Sequence, residues 1–197
     1  MLFTFQEIID AVIMTLAIGF IFMSHFGFSQ MKSKTIDPII EYYQKKRSFD
    51  WNALWTAAMV TAPAIILHEL AHKLVAVFYG LNATFHAAYF WLGIGVIMKL
   101  LNTGFIFFVP AYVSHSGAAT PLQSASIAFA GPFLNLILWF ICWALLKFQI
   151  FQMSARTMKM LAASRYINGF LFIFNMIPLG FFDGAHVLQG LMQHFAA

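Results

Sequence analysis

Five apolar stretches, at residues 8–28, 51–79, 85–101, 122–146 and 158–178, leave few folds open to this chain. A helix needs about 20 apolar residues to cross a bilayer, and these runs reach or approach that length. Only 9% of the residues are charged, against about 25% in a soluble domain. The pattern predicts an all-α polytopic membrane protein of five to six membrane helices. The third run is short and broken by Gly93 and Gly95, which suits a re-entrant segment. Residues 178–183 lead into a further short helix.

Between the runs the character changes. Residues 29–50 are polar and basic, with a short amphipathic helix expected around 38–46. Asn82 to Thr84 read as a turn. Residues 102–117 combine turn residues, a β-branched and aromatic run and Pro110, which predicts an edge strand or hairpin over 105–113. Thr120-Pro121 opens the fourth helix, since proline fits the first helical turn. We divide the chain into a first transmembrane helix with its basic loop (1–50) and a core (51–197).

Charge and cysteine content narrow the function. The net charge is +4, yet the basic residues are scattered and match no nucleic-acid module. They read better as topology signals. Glu7 and Asp10 stand where a cleavable signal peptide would carry basic residues, so none is expected. The lone cysteine, Cys142, rules out a Cys-based cluster. Any metal site must use His, Asp or Glu.

The second run carries one: H-E-x-x-H at His68, Glu69 and His72. Residues four apart share a helix face, so both imidazoles can meet one zinc ion while Glu69 reaches a water beside it. A catalytic zinc takes three protein ligands and leaves a position for water. Ionisable groups inside a span are expensive and mark function. Of the remaining acidic residues, Glu7 and Asp10 open the first helix, and Asp37, Glu41 and Asp50 lie in the basic loop. Asp183 alone ends an apolar helix, before Gly184. It is the candidate third ligand, with an N-cap of the last helix as its alternative role. His86, His115 and His194 have no partner at ligand spacing, and His186 is a candidate to support the site.

HELAH in one helix, AGPFLN (130–135) opening another and NMIPLGFFDG (175–184) closing a third resemble the site-2 protease family of intramembrane zinc metalloproteases. The resemblance covers roughly residues 51–188. It implies one zinc ion per chain held by His68, His72 and Asp183, with Glu69 as general base. It implies that Asn175 and Asn135 contact substrate, and that Gly131 and Pro132 let helices approach closely. The expected partner is a single-pass membrane protein cut in or next to its transmembrane segment, in a prokaryotic-type cell membrane. The Pro-to-Asp segment, PLGFFDG, departs from the family pattern, and WLGIGV (91–96) is a weak match to its glycine loop. The runner-up is a non-proteolytic membrane metal-binding protein or metal transporter with the same ligands. For the three blocks to meet, residues 81–120 must leave and return on one side. Orientation stays open: the basic loops point one way under the positive-inside rule, the resemblance the other.

Overall fold

The computed structural model describes residues 3–25, 49–103, 109–149 and 151–196. Six helices and two strands follow in order among them: α1 (Phe5–Phe22), α2 (Trp51–Phe78), β1 (Asn82–Ala87), α3 (Tyr89–Leu100), β2 (Ala111–Ser116), α4 (Pro121–Phe148), α5 (Ala155–Asn175) and α6 (Asp183–Phe195). The helix starts follow local chemistry. Thr4 and Glu7 form a capping box on α1, and Thr120 and Gln123 form another on α4, with Pro121 in its first turn. Asp50 caps α2 through the Ala53 amide, and Ser154 caps α5 through Thr157.

Three helices, α1, α2 and α4, are long and apolar enough to cross a membrane. This is fewer than the five to six expected. The third apolar run is shared between the end of β1 and the 12-residue α3, which at about 1.5 Å per residue is too short to cross. The fifth run became α5, whose 21 residues include Arg156, Lys159 and Arg165. The membrane character rests on the other three.

Helix α2 is central. It packs against α1 on one side and α4 on another, and α4 in turn packs on α5 and α6. Met14 and Ile18 of α1, Ile65 of α2 and Phe85 of β1 form one buried cluster with Leu92 of α3.

The strands pair antiparallel, with Asn82 opposite Ser116 and Ala87 opposite Ala111. The expected strand over 105–113 lies partly on residues 104–108, outside the described residues, as does the amphipathic helix around 38–46. The observed β2 starts at Ala111, and its partner β1 covers the segment read as a turn. Because Asn82 and Ser116 are register partners, the chain leaves α2 and comes back to α4 at one end of the bundle.

Helix α1 is fixed to this sheet by buried carboxylates. Glu7 takes the Lys73 ammonium of α2 and accepts from the Phe85 amide at 2.8 Å. Asp10 accepts from the Ala87 amide at 3.0 Å and the Tyr89 hydroxyl at 2.6 Å. The outward-facing amides of Phe85 and Ala87 in β1 are thus already used. A buried ion pair is tolerated only when its remaining hydrogen-bonding capacity is met in this way.

Candidate metal centre

His68 and His72 project from one face of α2, as their spacing predicts, and both are buried. Asp183 reaches them from the first residue of α6. It is not the cap of that helix, a position Phe182 holds without a side-chain bond. Its carboxylate lies instead 3.1 Å from His68 Nε2 and 3.4 Å from His72 Nε2. The two Nε2 atoms are 3.0 Å apart. Gly184 permits the approach: a Cβ there would stand 2.9 Å from the Ile177 carbonyl oxygen, in the turn after α5.

The hydrogen bonds on the far side of each ring set what these atoms can do. His72 Nδ1 faces the Ile127 carbonyl at 2.7 Å, an acceptor only, so it carries a proton. His68 Nδ1 lies 2.5 Å from Asn135 Oδ1. Asn135 Nδ2 donates to the Ala64 carbonyl and to Asn168 Oδ1, so the oxygen is the atom facing His68. Both neutral rings then present Nε2 lone pairs to each other and to a carboxylate oxygen. Only a proton or a metal cation can sit among three such atoms.

The separations fit a metal. Ligand atoms of a tetrahedral ion with bonds of about 2.0–2.1 Å stand about 3.3 Å apart. The triangle here has edges of 3.0, 3.1 and 3.4 Å. His68, His72 and Asp183 form the one group of His, Cys, Asp or Glu among the described residues whose ligand atoms converge in this way. Room is kept by Gly131 of α4, where a Cβ would stand 2.6 Å from His68 Nε2 and would also meet His72 Nε2. Ile127, Gly131 and Asn135 follow at intervals of four along α4 and supply the carbonyl, the space and the amide. Burial opposes ionisation of Asp183, but when a proton rather than a metal fills that space, hydrogen bonding from the imidazoles that carry it outweighs burial and holds the carboxyl well below its usual range.

Glu69 is 8% exposed and lines the same cavity. That cavity has a volume of about 1070 Å³. Its wall includes β2 from Ala111 to Val113, Asn175 at the end of α5, and His186, Gln189 and Gln193 on one face of α6. The structure therefore brings His68, Glu69, His72, Asp183 and Asn175 to one chamber. Asn135 is placed differently. It is fully buried behind His68, with its amide engaged by His68, Ala64 and Asn168. Asn168 and Lys73 were not singled out from the sequence. A polar residue in each of two apolar helices was the available signal for them. His86 stacks on Tyr112 and bonds Ser114, apart from the metal ligands.

Fold and site together define a helical protein with three helices long and apolar enough to cross a membrane and a buried group of two histidines and one carboxylate that could hold a metal ion. Comparison with known proteins agrees. The chain is 33% identical over 188 residues to the "Putative zinc metalloprotease" of Methanocaldococcus jannaschii, covering 95% of this chain and 85% of that protein. It is 26% identical over 142 residues to a Synechocystis protein of the same name, covering 70% of this chain and 32% of that longer protein. The chain belongs to the family of the archaeal protein, zinc metalloproteases by name. No protein-family model and no solved structure matches it.

Proposed function

We propose that this chain is a multi-pass intramembrane zinc metalloprotease of the site-2 protease type, resident in a cell membrane. It hydrolyses a peptide bond in or next to the transmembrane segment of a membrane-protein substrate. The observation that carries this reading is the shared chamber: three converging ligand atoms, the Glu69 carboxylate beside them and an open strand edge in the same wall. His68, His72 and Asp183 would hold the ion. Zinc, when bound, supplies a Lewis acid that brings the pKa of water to about 7 and polarises a carbonyl.

The chain's own residues do the rest. Glu69 takes the proton of the attacking water and returns it to the departing amine as the C–N bond breaks. Among the described residues it makes no hydrogen bond that would have to be broken first. His186, Gln189 and Gln193 line the cavity beyond Asp183 with polar groups that water can follow to the site.

The sheet supports a way to hold the substrate. Phe85 and Ala87 turn their amides to α1, so their partners Val113 and Ala111 also face away from β1. That outer edge of β2 carries no other strand among the described residues and borders the chamber. A transmembrane helix hides its amides in internal bonds and must unwind before cleavage. Strand addition along β2 would hold the extended peptide, with Asn175 beside it. The test is cleavage of a single-span substrate co-reconstituted with the protein. Wild type should cut it and Glu69→Gln should retain zinc without cutting. Equal cleavage by both would refute the reading.

A further inference from the structure

We propose that Asn168, acting through Asn135, fixes the ring tautomer of His68 and so prepares that side chain as a metal ligand. The inference rests on the metal reading above only for its purpose. The relay itself is read from polar atoms on three helices.

The relay has a direction. Asn168 Nδ2 donates to the Ser164 carbonyl at 2.8 Å, one turn back on α5. Its Oδ1 therefore faces α4, where it accepts from Asn135 Nδ2 at 2.8 Å. The second Asn135 hydrogen goes to the Ala64 carbonyl of α2 at 3.0 Å. Both amide hydrogens are then spent on acceptors, and rotating the Asn135 amide would set its oxygen against both. Oδ1 is left for His68 Nδ1, which must donate. Both asparagines are essentially unexposed, so no water competes for these positions.

The alternative tautomer shows why this matters. With its proton on Nε2, His68 would donate to Asp183 Oδ2, only 3.1 Å away. The ring and the carboxylate would satisfy each other and close the site to a cation. Groups behind a metal-binding histidine commonly set its tautomer, and their loss costs about 10–100-fold in metal affinity. His72 uses a backbone carbonyl for the same purpose, which side-chain substitution cannot remove. Asn135 and Asn168 are thus positioning residues, distinct from the groups that touch metal or water.

His72 is also an internal control. The full chain, labelled with ¹⁵N-histidine in detergent and stripped of metal, is observed by long-range ¹H–¹⁵N imidazole spectra, and zinc affinity is measured by chelator competition. In the wild type His68 and His72 should both show Nδ1–H. In Asn135→Leu, His68 should acquire the Nε2–H signature, His72 should not, and zinc affinity should fall by about 10–100-fold. Asn168→Leu should shift His68 part of the way. Asn168→Asp keeps an acceptor oxygen toward Asn135 and should retain the wild-type His68 pattern, so the Asn168 pair decides the matter if Asn135→Leu does not fold.

The relay is overturned if His68 keeps Nδ1–H in Asn135→Leu and Asn168→Leu. It is also overturned if His72 shifts along with His68, which would indicate general loosening. A protein that takes up no zinc, yet whose His68 tautomer follows these substitutions, would keep the relay and remove the metal reading. Zinc binding with an unresponsive tautomer would do the reverse.

Discussion

Replacing Gly131 with alanine tests whether the space between the two histidines belongs to an ion. The added Cβ would stand 2.6 Å from His68 Nε2 and 2.7 Å from its Cδ2, closer than real Cβ contacts. Neither ring can easily retreat, since Asn135 holds His68 and the Ile127 carbonyl holds His72 from behind. Metal sites tolerate about 0.5 Å of misplacement, and a displacement near 1 Å costs about 100-fold. For zinc at 100 times its Kd, binding stabilises the fold by about 2.7 kcal/mol. A 100-fold weaker site would retain about 0.4 kcal/mol at the same concentration. Two other effects oppose each other in the metal-free protein. Alanine in a helix interior gains about 1 kcal/mol over glycine, and overpacking costs about 1–3 kcal/mol. Thermal melts with zinc and with chelator separate these effects. The metal-free melting temperature should move little, while the zinc-dependent increment nearly disappears. A variant with the full wild-type increment would refute the claim that Gly131 keeps room for an ion.

Other substitutions probe the remaining parts. Lys73→Met should destabilise by about 3–5 kcal/mol because it leaves the buried Glu7 carboxylate unpaired, and adding Glu7→Gln should recover much of this in chemical melts. Val113→Pro removes an outward amide from β2 without touching the ladder to β1, so zinc content should persist while cleavage of the reconstituted substrate falls; unchanged cleavage would count against strand addition. The depressed pKa of Asp183 means that its contribution to metal-free stability is present above the usual carboxyl pKa of about 4 and is lost as pH falls through the folded value. From pH 8 to pH 5 this carboxylate stays ionised, so its protonation should release no zinc over that range. The Asp183 carboxyl resonance followed by ¹³C NMR across that range checks it, and protonation at or above pH 5 would contradict it.

What the sequence made legible was local chemistry repeated in a fixed spacing. His68 and His72 are one helical turn apart, and that geometry needs only α2 to exist. Asp183 could be picked out because the other acidic residues had places elsewhere, although two of those places were underestimated. Glu7 and Asp10 do open α1, but they also reach across to Lys73 and the backbone of β1. No local pattern announces such contacts, because they depend on how α1 crosses α2. The strand β1 was hidden for a related reason. Its six residues, N-A-T-F-H-A, alternate only weakly, and Phe85 is buried because α1 and α2 cover it, which a single sequence does not display. Asn168 went unremarked because one amide in a helix has many explanations until its partner is known.

Two polar networks flank α2, and adjacent residues hold them. His72 belongs to the candidate metal centre, and Lys73, the next residue and about 100° round the helix, belongs to the network that holds α1. Glu7 carries that network from Lys73 to the Phe85 amide, and Phe85 is the register partner of Val113. The position of the β2 edge relative to the candidate metal ligands is therefore tied through one peptide step on α2, one ion pair, one hydrogen bond to a backbone amide and one strand pairing. This gives the buried Lys73–Glu7 pair a role that its weak net contribution to stability would not: it sets the distance between the edge proposed to hold the peptide and the site proposed to cut it. Loosening it in Lys73→Met/Glu7→Gln, a pair that should restore stability, would then spread the cleavage position along the substrate even where zinc content and overall rate are preserved.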